Sequence, residues 1–426
     1  MNLSVHEAEH LLFITLAQLI VMIGAARLMN TALRRLGQPG VIGETVAGLM
    51  LGPSLFGYFF PQISHALFGV RTSIPITIIS QIGLILLMFQ IGMDFQFGHL
   101  KDRRNTRAVI VVAATSITVP FLAGLLIGRL SASHLAPGMD PLVYSLFFAV
   151  GLAITAVPVL GRILREYGLT RTEIGVIAIS AAAVNDVVGW ILLAGVSALA
   201  AARFSGSATL LQIGGLTVFA GGTWFVLRPV AGWLIARHRL REGEMPPNLV
   251  ASIITLMFAM AICTYQLGIF AIFGGFAAGL LFHRFEAFVA AWHRQVGRFV
   301  LVFFLPVFFT YTGLRTDVLG LSAWSDVQWL GIILAGAIAG KIVPVYLGGR
   351  LCGFDHHRSA VLGSLMNTRG LMELIVLNVG YDLGFIPQKV FTMLVMMAVL
   401  TTIMTGPLLK VLLPRTGHAI PFGVEA

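Results

Sequence analysis

Charge is scarce in this sequence: Asp, Glu, Lys and Arg make up 11% of 426 residues, against roughly 25% in ordinary soluble domains. Hydrophobic residues reach 57%. A soluble chain of this length cannot hide so much apolar surface, so lipid is the solvent for much of it. Cysteine is nearly absent, and Cys263 and Cys352 lie far apart in apolar stretches, which argues against a structural disulfide or a cysteine metal site. No long hydrophilic block occurs, and the sequence stops shortly after its last apolar run, so no appended regulatory domain is expected. The missing motifs exclude further classes. Without a Walker A sequence, ATP is not the driver. Without His-Glu-x-x-His, Gly-x-Ser-x-Gly or any nucleophile–base constellation, an enzyme is not expected, and no cofactor is called for. The potassium-filter sequence Thr-Val-Gly-Tyr-Gly is absent too.

What is present is a succession of apolar runs. Scanning for stretches of about 20 residues finds them near 10–30, 39–60, 75–93, 107–130, 142–164, 171–202, 209–236, 248–267, 269–283, 299–313, 326–352, 358–380 and 388–413. They lack the alternation of a membrane barrel, so an all-α integral membrane protein of about thirteen transmembrane helices is expected. The first run is too long for a signal h-region and has no basic stretch before it, so it reads as a retained span. The net charge of +10 invites a nucleic-acid partner, but position decides against one. If alternate loops face the cytoplasm, Lys and Arg gather on one side. The other side keeps Arg71, Arg129, Arg203, Arg315 and Lys389, while Lys341 and Arg369 fall inside spans. That bias obeys the positive-inside rule. It requires an odd number of spans, with the N-terminus outside and the C-terminus in the cytoplasm.

Charges within a bilayer are costly, by roughly 3 kcal/mol on insertion scales, and each asks for a reason. Asp186 stands mid-span in Ala182-Ala-Val-Asn185-Asp186. Desolvation penalises a buried charged carboxylate, so Asp186 holds either a proton or a cation but not both. That is the chemistry of exchange. Alternatively, it is permanently paired with Lys341 to tie two helices together. Lys341, in Gly340-Lys341-Ile-Val-Pro344, is too central to snorkel. It reads as a counter-charge to the ion site or as a second proton carrier.

Two segments read as interrupted helices. In Gly151-Leu-Ala-Ile-Thr155-Ala-Val-Pro158 the proline removes a backbone hydrogen bond near Ile154. The stretch Asn367-Thr368-Arg369-Gly370-Leu-Met-Glu373 is a polar patch in mid-span. Broken helices paired across the two halves of a chain are a pointer to a transporter's ion site. The order (broken segment five before Asp186, Lys341 before broken segment twelve) suggests an inverted repeat. Arg369 and Glu373 are four apart and can pair on one helix. Glu44 lines an entry path or pairs near the cytoplasmic surface. Asp94 reads as interfacial, near His99 and Lys101, and most histidines read as interfacial too.

At these residues the sequence resembles the monovalent cation:proton antiporter-2 family, including the plant cation/proton exchangers and their bacterial relatives. The stretches that carry the resemblance are Gln38-Pro-Gly-Val-Ile-Gly-Glu44, Leu51-Gly-Pro-Ser54, Phe89-Gln-Ile-Gly-Met-Asp94, Ala182-Ala-Val-Asn-Asp186, Phe304-Leu-Pro-Val-Phe-Phe-Thr310 and Met366 to Gly380. The resemblance implies a sodium/proton antiporter fold with an inverted repeat and two discontinuous helices, a homodimer, and elevator-type alternating access. It divides the chain into a dimerisation bundle (1–100 and 241–320), a core transport bundle (101–205 and 321–426) and a linker helix (206–240). It makes Asp186 the ion-binding aspartate for Na⁺ or K⁺ and Lys341 the basic residue on the facing core helix. Asn185 stands where electrogenic relatives carry a second Asp, so electroneutral exchange is expected. Asn185, Thr155 and the broken-helix backbone would complete the oxygen shell. The partners expected are monovalent cations, protons and the lipid bilayer, and the location a bacterial inner membrane. The rival reading is a gated cation channel or ion sensor on the same scaffold.

Overall fold

The computed structural model describes residues 5–35, 38, 40–69, 74–94, 103–170, 172–201, 206–238, 244–267 and 270–418. Arg71, His99, Lys101, Arg171, Arg203, Arg239 and Arg241, which the charge pattern puts in loops, lie outside the described residues. Among the described residues there is no strand. The reason is general: in lipid, a single apolar segment satisfies its own backbone only as a helix.

In chain order the helices are α1 (Val5–Arg35), α2 (Gly40–Leu51), α3 (Phe56–Phe59), α4 (Pro61–Phe68), α5 (Ile74–Met93), α6 (Arg103–Leu135), α7 (Pro141–Ala153), α8 (Val157–Glu166), α9 (Glu173–Ala201) and α10 (Gly206–Gly222). Then follow α11 (Arg228–Arg237), α12 (Pro247–Gln266), α13 (Ala271–Phe282), α14 (Glu286–Trp292), α15 (Leu305–Leu314), α16 (Trp324–Leu351), α17 (His356–Met366), α18 (Leu371–Asp382) and α19 (Gln388–Leu412). Among the described residues, and with 214–237 taken as one continuous helix, eight helices are long and apolar enough to cross a membrane, or ten spans if each of two bent helix pairs counts as one. The protein is therefore an integral membrane protein.

Several expected spans are shorter or more bent than the apolar runs suggest. The run near 39–60 yields α2, which ends at Leu51, before Pro53; the residue preceding a proline disfavours the helical region. The run near 299–313 begins earlier, in α14. It bends by 47° between Gly297 and Val300, with wider π-type turns at His293–Gly297 and Val300–Phe304. A third π-type stretch, Thr223–Leu227, joins α10 to α11. Such turns follow from local backbone bonding, which hydropathy does not report.

The chain forms two compact units. The first comprises 1–23, 67–97 and 194–311. Within it α13 packs against α5 and α12, and Phe89, Phe282, Phe288 and Trp292 form an aromatic cluster with ring centroids 4.8 to 6.1 Å apart. The second unit comprises 24–66, 98–193 and 312–426. Here α6 packs on α7 and α16, α16 on α17 and α19, and α18 on α7 and α19. Small residues bring α6 and α7 together: a Cβ on Gly124 would stand 2.7 Å from Ala149 Cα, and one on Gly128 2.8 Å from Ser145 Cα. Two glycines four apart make a flat strip that permits this approach. The start of α7 is set by Asp140, whose carboxylate accepts from the Leu142 and Val143 N–H groups at 2.8 and 3.0 Å, with Pro141 opening the helix.

Candidate functional site: the paired helix breaks

The second unit contains both breaks. Between α7 and α8 the chain leaves the helix at Ile154, Thr155 and Ala156, with extended dihedrals at Ile154 and Ala156. Pro158 stands in the first turn of α8, where its missing N–H costs nothing. Between α17 and α18 the break runs from Asn367 to Gly370. The two breaks touch: Ala156 N–H donates to Thr368 O at 3.2 Å, and the Thr155 hydroxyl donates to Met366 O at 3.1 Å. A Cβ on Gly370 would meet Val159 Cγ2 at 2.9 Å. A side chain there would press the two breaks apart.

Four charged side chains surround this crossing, all of them buried. The Asp186 carboxylate lies beside the Val157 N–H, at the positive N-terminal end of α8. Lys341, on α16, donates to Ser116 O at 2.7 Å and also to Ala153 O. Arg369 Nη1 donates to Gly151 O at 3.1 Å, and Nη2 reaches Ala337 O at 3.5 Å. Both cations thus serve the carbonyl end of α7, the negative end of its dipole. Glu373 lies in the first turn of α18, with Oε1 3.5 Å from Arg369 Nη1. Three of the four half-helix ends, the C-terminus of α7 and the N-termini of α8 and α18, are thus matched by a charge of opposite sign.

The polar neighbours define what this arrangement can hold. Asn185 Nδ2 donates to Ser116 Oγ at 2.8 Å and to Thr155 Oγ1 at 3.3 Å, which turns the amide oxygen away from both. Asn185 Oδ1, Asp186 Oδ1, Asn367 Oδ1, Thr368 Oγ1 and both Glu373 oxygens are buried without a hydrogen-bond donor. Buried acceptors left without donors are rare and call for an explanation. Oxygen acceptors of this kind suit a hard monovalent cation or a proton.

The structure therefore brings Asp186, Asn185, Thr155, Lys341, Asn367, Thr368, Arg369 and Glu373 around the two breaks. Three details differ from the sequence reading. Arg369 lies in the break itself, so it and Glu373 do not share one helix. Lys341 forms no ion pair with Asp186; its ammonium bonds backbone carbonyls instead. Asp94 pairs with His293 at 2.7 Å, a partner that sequence distance conceals. Glu44 is buried in α2. Sequence reasoning misses Ser116, although it orients Asn185 through its hydroxyl and Lys341 through its carbonyl. Its one signal is the polar Thr115-Ser116 pair inside an apolar run. Thr402 escapes it as well: the hydroxyl accepts from Arg369 N–H at 3.0 Å and holds the second break to α19.

Residues 19–415 match the family described as sodium/hydrogen exchanger, transmembrane. The chain belongs to this family. Among its relatives is the Na(+)/H(+) antiporter NhaS4 of Synechocystis, 37% identical over 96% of this chain and 99% of the relative. Cation/H(+) antiporter 17 of Arabidopsis thaliana is 36% identical over 94% of the chain, and K(+)/H(+) antiporter 1 of Saccharomyces cerevisiae 30% identical over 95%. The chain spans about half the length of these plant and yeast relatives, 48% and 46%. The fold matches that of the sodium proton antiporter MjNhaP1 of Methanocaldococcus jannaschii, with a TM-score of 0.63 at 18% identity over 96% of this chain and 99% of that one. The family places the protein among transporters of monovalent cations and protons; it is not an enzyme.

Proposed function

We propose that the protein exchanges protons for Na⁺ or K⁺ across the membrane, with Asp186 binding either ion in turn. The observation that carries this reading is the setting of Asp186: a buried carboxylate on the N–H end of α8, with one oxygen free of donors. Beside it Asn185 Oδ1 is likewise free of donors, while Thr155 holds the Asn185 amide. In this reading Asn185 and Thr155 supply further oxygen, Lys341 is the counter-charge, and Asn367, Thr368, Arg369 and Glu373 form the second break's share of the site. A proton or a cation neutralises Asp186 one for one, so exchange is electroneutral.

The remaining proposals concern the whole carrier. It has thirteen spans, reached by adding α2, the α7–α8 pair and α13 to the ten counted by length. Its N-terminus is outside and its C-terminus inside, in a bacterial inner membrane. It works as a homodimer by elevator-type alternating access, a core bundle (101–205 and 321–426) moving against a dimerisation bundle (1–100 and 241–320) joined by the linker 206–240. The test is proton flux in liposomes carrying a pH-sensitive dye, with Na⁺, K⁺ or Li⁺ added in turn. Wild type should respond to at least one cation, and Asp186→Asn should fold and be silent. Exchange preserved in that variant would overturn the assignment.

A further inference from the structure

The site holds two cations and two carboxylates, yet in the exchange reading only Asp186 binds the exchanging ion. If Asp186 had to neutralise Lys341 or Arg369 permanently, it would not be available to an exchanging ion. Some other group must hold the standing negative charge. The α7 carbonyl end supplies part of it, about half a charge by the dipole argument. Among the described residues, Glu373 is the remaining buried acid at the crossing.

We infer that Glu373 is the standing counter-charge of Lys341 and Arg369, a positioning residue that leaves Asp186 free to hold the transported ion. Two positive sources meet at its carboxylate, Arg369 Nη1 at 3.5 Å and the N-terminal first turn of α18, and Lys341 shares with Arg369 the carbonyl end of α7. Glu373 Oε1 faces the Arg369 guanidinium as an ion pair, and Glu373→Gln removes the charge while keeping shape. Asp186 is placed differently. It lies beside the N–H end of α8 and leaves Oδ1 open, as a group that binds and releases an ion requires. The inference rests on the exchange reading and assigns the second acid within it.

Loss of the Glu373 charge leaves surplus positive charge around Asp186, which weakens its hold on any cation, proton included. The two effects share one cause and must match. The experiment measures exchange rate against NaCl or KCl concentration in liposomes at several pH values, with choline chloride as blank. Glu373→Gln should raise the apparent KM about tenfold and move the acid limb of the profile about one pH unit lower, since one pH unit is a factor of ten. Glu373→Asp should return both toward wild type. A Glu373→Gln variant with unchanged KM and unchanged pH profile, or with one shifted and not the other, overturns the inference. Should that variant fail to fold by gel filtration, Glu373→Asp, which keeps the charge and shortens its reach, carries the test: its KM and its acid limb must shift together by the same factor, and a shift in one without the other overturns the inference. Asp186→Asn distinguishes the two readings: exchange surviving there defeats the exchange reading, whereas silence there with an unaltered Glu373→Gln defeats only this one.

Discussion

Ser116 connects two site residues, because its hydroxyl accepts from Asn185 and its carbonyl accepts from Lys341. Ser116→Ala removes the first bond and keeps the second. A single hydrogen bond contributes about 1 kcal/mol net, so the apparent KM for the transported cation should rise roughly fivefold with little change in maximal rate. Cation titration in dye-loaded liposomes checks this, and an unchanged KM would show that the Asn185 amide is oriented without Ser116. Asp186, Lys341 and Arg369 are legible in the sequence because a charge in an apolar run is costly wherever it lies. Ser116 is not, since a serine in a helix satisfies itself on its own backbone, as this one does with Ala113 O at 3.0 Å. Its role for Lys341 passes through a carbonyl that every residue possesses. The partner of Asp94 is illegible for a different reason: His293 is 199 positions away, and only the fold brings it near.

At the scale of elements, α7 must be placed accurately, because its last carbonyls receive Lys341 and Arg369. Its placement depends on α6, whose Gly128 admits no Cβ without displacing the Ser145 backbone. Gly128→Ala should therefore cost about 1–3 kcal/mol by overpacking, lower the melting temperature in detergent and reduce exchange. A Cβ added to Gly331, on α16, would meet nothing within 4 Å, and Gly331→Ala should be neutral or stabilise by up to ~1 kcal/mol from helix propensity. Equal melting temperatures for the two variants would refute the packing argument. The break after α7 is legible from Pro158, and the one after α17 from a glycine-bounded polar stretch, since both leave chemical marks. The 47° bend between α14 and α15 is not, because π-type turns and tilt arise from backbone bonding within a uniformly apolar run. The span count suffers likewise: α2 and α13 are each 12 residues long, short of the roughly 20 that hydropathy assumes.

For the whole molecule, membrane character is readable from the apolar runs, whereas charge movement across the membrane depends on how buried charges balance. With all four ionised, Asp186 and Glu373 offset Lys341 and Arg369. Binding either a proton or a monovalent cation at Asp186 then adds one positive charge in both cases. Whatever moves during alternating access, the loaded carrier bears the same charge in each direction, and a complete cycle transfers none. A net charge crossing the bilayer would feel ~2.3 kcal/mol per 100 mV, enough to change the rate up to ~50-fold. The proposed cycle should not respond in that way. Imposing about 100 mV of either sign on the liposomes, with a lipophilic ion setting the potential, should alter exchange less than ~2-fold. A strong dependence on potential would mean that a second group, Lys341 or Glu373, gains or loses a proton during the cycle. Repeating the measurement with Glu373→Gln then separates these cases: if Glu373 is the extra proton carrier its variant becomes insensitive to potential, and if Lys341 is, the sensitivity persists.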